Sequence, residues 1–265
     1  MSRLRNVVKS LAPPLLVCAA RPLWRRLHGI GSHTFEDCYP SFADVPCAPT
    51  GHDDDAFAIG HTAALGYLGA GSEKASDLYG RSILPLIVAQ SGAPLTVIDY
   101  GGGACIGLAC ILDQRPSPDL TGFSYILVET PAMVAAVRAR MNKPFVAVTT
   151  DIPQQVEGPL VVHAGSSLQY IDDWRGVLAQ LAALKPISII ISLTPFSDLP
   201  TYARMQCNIP HKRLASWVFN RAEFAGFMRA LGYGCIFEVE HATTFTHKNA
   251  PGPACIASMV FTSSN

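Results

Sequence analysis

The 265-residue sequence is poor in charge, with 15% Asp, Glu, Lys and Arg against 49% hydrophobic residues. A chain this apolar buries a substantial core, which excludes a disordered linker as its main state. Twenty basic and twenty acidic residues cancel, so no global positive field attracts nucleic acid, and none is expected as a partner. No apolar run reaches the ~18 residues that a bilayer crossing needs. The eight cysteines include no C-x-x-C pair, and His52, His61, His241 and His247 lack metal-ligand spacing with them, so no metal is expected. Several cysteines lie in apolar runs, where a free thiol behaves as a small hydrophobe; a reducing, cytoplasmic setting suits them.

The charge that exists is unevenly placed. Arg3, Arg5, Lys9, Arg21, Arg25 and Arg26 all precede the first acid, Glu36, leaving 14 basic against 20 acidic residues beyond them. Leu4, Val7, Val8 and Leu11, then Leu23, Trp24 and Leu27, recur at helical spacing on either side of Pro13-Pro14. Residues 1–28 thus read as two basic amphipathic helices, an arm for the domain or for a second subunit of a homodimer, or a peripheral contact with an anionic membrane. The proline pair and the arginines after it argue against a cleaved signal. Residues 31–72 are rich in Gly, Pro, Asp and Ser, an irregular, lid-like segment with one helix near 56–68. Two parts are expected: an extension over 1–72 and a main domain over 73–265.

From residue 73 strand and helix patterns alternate. A helix over 74–91 leads to strand 95–100, a glycine turn and a helix over 104–113. Strand 124–130, a helix from Pro131, strands 145–151 and 160–164, helix 174–184 and strand 187–194 follow. Such β/α order with continuous Val/Ile runs implies a mostly parallel α/β sheet covered by helices on both faces. After a helix from about 221, strands 235–241 and 254–262 follow one another without a crossover helix, so they pair antiparallel.

The stretch "VIDYGGG" ends the first of these strands in Asp99 and turns through Gly101, Gly102 and Gly103. Glycines at the carboxyl end of a parallel strand let a polar ligand approach the backbone. A phosphate loop would need a following Gly-Lys-Ser/Thr, which is missing. A dinucleotide fingerprint would need a small residue at position 106, where Ile106 stands. S-adenosylmethionine asks instead for a carboxylate near its amino group, glycines under its methionine part and an acid at the next strand end for its ribose; Asp99, Gly101 with Gly103, and Glu129 supply these in order.

With "ILVET" and the terminal strand pair after "GYG", the chain resembles class I S-adenosylmethionine-dependent methyltransferases, whose Rossmann-like sheet has seven strands with the seventh antiparallel. More narrowly, "IDYGGG", "HAGSSLQYIDD", "SLTPF" and "GYG" resemble, in order, a family of bacterial methyltransferases assigned by similarity, over roughly residues 30–265. The resemblance implies that Asp99, Gly101 and Gly103 line the methionine side, that Glu129 holds the ribose and that Asp151 and Ile152 flank the adenine. Cys105 departs from it, standing where another glycine is expected.

Methyl transfer from a sulfonium is in-line displacement from an activated donor, so a base is needed only for a weakly acidic acceptor hydroxyl. "VVHAGSSLQY" ends the fourth strand beside the expected methyl position. His163 is the candidate base, against the alternative of a strand histidine bonded to its neighbours. Ser166 is a candidate cofactor contact and Gln169 and Tyr170 candidate acceptor contacts, while Asp172 or Asp173 suits the cap of the next helix. The long, proline-containing segment after the fifth strand adds Thr194, Phe196, Gln206 and His211 as acceptor contacts, with Trp217 at least as suited to the core. The expected activity is O-methylation of a small molecule or saccharide; the rival is a methyltransferase fold kept as a non-catalytic scaffold.

Overall fold

A computed structural model describes residues 34–46, 83–92, 94–113, 119–209, 212–241 and 247–263. The arm over 1–28, the helix near 56–68, the boundary at 72 and His211 lie outside the described residues. The strands expected from Val/Ile runs form the main sheet: β2 (Leu95–Tyr100), β3 (Phe123–Val128), β4 (Val146–Thr149), β5 (Leu160–Gly165) and β6 (Ser188–Ser197). With β9 (Tyr233–His241) and β11 (Cys255–Ser263), they lie in the order β4-β3-β2-β5-β6-β11-β9. The first five run parallel, and β11 is antiparallel to both β6 and β9.

Helices cover both faces, as continuous apolar strands require. On one face α1 (Ile83–Ser91), α2 (Ile106–Leu112) and α3 (Pro131–Arg138) bury Leu84, Leu108, Ile111, Met133 and Val137 against Val97, Tyr125, Leu127 and Ile190. On the other, α4 (Trp174–Ala183) and α5 (Arg221–Ala230) build a second core with β5 and β6. Its centre is aromatic: Trp174 stacks on Phe224 at 5.3 Å and meets Phe219 edge-on at 5.0 Å. Local chemistry fixes the helix starts. Thr130 accepts from the Met133 N–H ahead of Pro131, Asp173 from Gly176 at 2.9 Å, and Asn220 from Glu223 at 2.8 Å, each a side-chain oxygen satisfying a donor the helix leaves open.

The sheet continues beyond seven strands. The segment expected as a loop after β6 folds into β7 (Tyr202–Gln206) and β8 (Leu214–Asn220), paired antiparallel. Next come β1 (Phe35–Tyr39), antiparallel to β7, and the two-residue β10 (His247–Lys248). β1 lies within the stretch that the sequence suggested was irregular. The junction is β6 itself. Ser188–Ser192 pairs with β5, whereas Phe196 and Ser197 pair with Phe219 and Asn220 of β8. Between them Leu193 takes a left-handed φ of 54°, and the register with β11 shifts between Ala257 and Met259, a bulge that redirects the strand. Eleven described strands therefore form one sheet, with its irregularity at Leu193 of β6.

Candidate functional site

The carboxyl ends of β2, β3 and β4 gather the residues expected around a cofactor. Gly103, at φ 58°, donates its N–H to Glu129 Oε1 at 2.8 Å, and Thr130 N–H donates to Oε2 at 2.8 Å. Two backbone donors thus fix the carboxylate of Glu129 over the glycine turn, half-buried. On the adjoining strand end, Asp151 is exposed, its N–H held by Thr149 Oγ1 at 3.1 Å, and Ile152 packs half-buried on the edge of the second core. Gly101, Gly103, Glu129, Asp151 and Ile152 therefore lie along one rim of the sheet.

Asp99 is not on that rim. It has no exposed surface; Tyr125 donates its hydroxyl to Oδ2, and Oδ1 lies 2.7 Å from His163 Nδ1. His163 Nε2 lies 2.6 Å from Ser192 Oγ, and both residues are fully buried. The four groups form a closed chain across β3, β2, β5 and β6. The histidine expected as a base thus has both ring nitrogens engaged and no route to an acceptor in this structure. The spacing resembles a serine–histidine–aspartate relay, but its serine is inside the sheet, so the chain orders the strands rather than meeting a substrate.

The glycines answer to this interior as much as to a ligand. A Cβ on Gly102 would stand 2.3 Å from Asp99 Oδ2, and one on Gly107 would stand 2.6 Å from it. A Cβ on Gly101 would stand 2.4 Å from Ser167 Cβ. Gly101 is small so that the segment after β5 can close on the turn, where the Ser167 hydroxyl donates to the Tyr100 carbonyl at 2.8 Å. Cys105 takes the left-handed conformation at φ 56°, which explains why glycine is expected there. Its side chain is fully buried in the core, and burial, with Asp99 and Glu129 nearby, pushes the thiol up to about 12. It does not crowd the rim.

Across the Ser167 segment lies a cavity of about 100 Å³. Its walls include Ser166, Gln169 and Tyr170 from the end of β5, Arg204 and Gln206 from β7 and Ser216 from β8. Tyr170 donates its hydroxyl to Gln206 Oε1 at 2.7 Å, and Gln169 Nε2 donates to Ser166 Oγ at 2.9 Å. Three of the acceptor contacts expected from sequence therefore converge here, together with Ser166. Thr194 and Phe196 do not join them. Both are fully buried; Thr194 Oγ1 donates to the Ser192 carbonyl at 3.3 Å, and Phe196 lies edge-on to Phe224 at 5.3 Å. Trp217 donates its indole N–H to the Ile171 carbonyl at 3.0 Å and packs on Phe42. Sequence reasoning missed Arg204. Its signal was the period-2 placement of Tyr202, Arg204 and Gln206, which puts them on one face of a strand, obscured by reading the segment as a loop.

The strand order, the antiparallel β11 and an acid following β3 over a glycine turn define the class I methyltransferase fold. No protein-family model matches the sequence, and no curated protein matches it. Among solved structures, the chain is similar to the 1,6-didemethyltoxoflavin-N1-methyltransferase of Burkholderia thailandensis, at 18% identity and a TM-score of 0.50, over 86% of this chain and 95% of that one. It is also similar to a protein of Listeria monocytogenes assigned as an S-adenosylmethionine-dependent methyltransferase, at 12% identity and a TM-score of 0.50, over 71% of this chain and 99% of that one. The Burkholderia enzyme holds 1,6-didemethyltoxoflavin and S-adenosylhomocysteine. Among the described residues, no helix is long and apolar enough to cross a membrane, and no cluster of His, Cys, Asp and Glu is gathered for a metal.

Proposed function

We propose that the chain is an S-adenosylmethionine-dependent methyltransferase acting on a small-molecule or saccharide acceptor, with a hydroxyl as the methylated group. The observation that carries this is the fixed carboxylate of Glu129, held over the glycine turn by Gly103 and Thr130 N–H groups at the carboxyl edge of the sheet. The donor set fits the cofactor: Glu129 is a half-buried carboxylate, an acceptor for ribose hydroxyls, and the Cys105 side chain is tucked into the core away from the rim. S-adenosylmethionine supplies a methyl group already activated on a sulfonium. Glu129 would hold the ribose, Gly101 and Gly103 the methionine side, and Asp151 and Ile152 the adenine. Asp99 acts indirectly, by fixing the turn from inside through the space left at Gly102.

Ser166 and Gln169, on the segment packed against Gly101, join the cofactor rim to the cavity and would orient the acceptor. Alignment and exclusion of water then supply much of the rate. Titration calorimetry with S-adenosylmethionine and S-adenosylhomocysteine, with NAD and ATP as controls, tests the assignment. Micromolar binding of the first pair alone is expected. Absence of heat with either would favour a non-catalytic scaffold.

A further inference from the structure

The cavity beside the β5 end has a polar lining at odds with simple packing. Arg204 is 2% exposed, and its guanidinium carbon lies 3.4 Å from the centroid of the Phe35 ring. Gln169 is 4% exposed, and its Oε1 finds no hydrogen-bond partner among the described residues, although its amide nitrogen is bound to Ser166. A buried acceptor without a donor is destabilising unless a ligand or water brings one. A buried guanidinium carries five donors in a planar fork, suited to a bidentate oxyanion.

We propose that this cavity is the acceptor site and takes a small molecule bearing an oxyanion, carboxylate or phosphate, next to a hydrogen-bond donor. Arg204 receives the oxyanion, and Gln169 Oε1 receives the O–H or N–H donor. This rests on the methyltransferase reading for the word acceptor; the recognition chemistry rests on the cavity alone. The arrangement is built by the accessory strands. Arg204 and Gln206 lie two residues apart on one face of β7, and Arg204 is register-paired with Ser216 on β8. Gln206 is fixed by Tyr170 at 2.7 Å and by donation of its Nε2 to Asn208 Oδ1 at 2.7 Å, so the wall opposite Gln169 is preorganised. Burial pulls Arg204 down to about 10, which still leaves it charged at neutral pH. Among the described lining residues it is the one formally charged group, so an anionic ligand meets no carboxylate on those walls.

The test is calorimetric titration of the full chain with lactate, glycerol 1-phosphate, propionate and propane-1,2-diol, with and without saturating S-adenosylhomocysteine. Lactate or glycerol 1-phosphate should bind at least about tenfold more tightly than the diol, which lacks the anion, and than propionate, which lacks the donor. Which of the two binds identifies carboxylate or phosphate as the source of the oxyanion. Arg204→Met and Gln169→Leu should each weaken that binding about tenfold or more, and Arg204→Met, remote from the rim, should leave S-adenosylhomocysteine affinity unchanged. If Arg204→Met does not fold, Arg204→Lys, which keeps the charge and loses the fork, takes its place. Equal binding of diol and acids, no binding of either acid, or acid binding unaltered in the variants overturns the proposal. Acid binding lost in the variants of a protein that never binds S-adenosylhomocysteine overturns the methyltransferase reading and leaves the acid site standing.

Discussion

Two buried polar clusters flank the end of β5, and they differ in one respect. In the chain Tyr125–Asp99–His163–Ser192, the carboxylate and imidazole are bonded on both sides and no member is exposed. In the cluster of Gln169, Tyr170, Arg204 and Gln206, the hydrogen bonds stop at a cavity and one amide oxygen remains open. A buried polar group that is fully satisfied rigidifies a core; one left open beside empty space is poised for a ligand. Residue type alone misleads on this point, because the first cluster has the more catalytic composition.

The largest effect should come from breaking the closed chain. Asp99→Ala would leave the Tyr125 hydroxyl and His163 buried without their partner, at a cost of ~3 kcal/mol or more, seen as a lowered midpoint in urea unfolding. If Asp99→Ala instead kept full stability and lost only cofactor affinity, the side chain would have to face the rim in solution. Next in size, Glu129→Ala should fold and weaken S-adenosylhomocysteine binding about tenfold or more, since it removes charge-assisted hydrogen bonds at the rim. The pair of variants separates interior from rim: the first should move unfolding, the second binding.

The contrast also marks what the sequence made legible. Continuous Val/Ile runs such as "LTVIDY" and "ISIIISLT" located the parallel strands, the first to the residue and the others to within three residues at either end, because strands buried on both faces have little room for other residue types. The antiparallel end was legible from two strands without a helix between them. Glu129 was legible as the acid one strand after the glycines, whereas Asp151 and Ile152 came from the family resemblance. The accessory sheet was not legible. Pro195 and Pro200 broke its pattern, and its pairing of β1 with β7 joins residues more than 160 positions apart, which no local period encodes. Nor was the inward turn of Asp99, since a strand-end acid reads the same whether its side chain meets a ligand or a histidine from β5.

A smaller effect is expected at the sheet edge. Arg221 reaches Glu238 and, at 2.6 Å, Glu240 on the exposed side of β9. Water and salt screen such a pair, so Arg221→Ala should cost no more than ~1 kcal/mol and shrink further in high salt. A larger, salt-independent loss would mean that the alkyl part of Arg221, or its contact with Cys255 at 3.1 Å, anchors α5 to the sheet.

The smallest change concerns Cys105, the residue that departs from the expected glycine. Its left-handed backbone costs a non-glycine residue about 1–2 kcal/mol, while burial of its side chain returns on the order of 1 kcal/mol. Cys105→Gly should therefore leave the thermal midpoint nearly unchanged and leave S-adenosylhomocysteine affinity as it was. The thiol offers an independent check. With the group pushed up to about 12, it stays protonated well past pH 8, and the thiolate is the reactive form. Exposed Cys235 should therefore be alkylated by iodoacetamide at pH 8 long before Cys105. Fast labelling of Cys105 in the native protein would place its side chain in the crevice, and would reopen the question of whether it obstructs the cofactor's carboxylate.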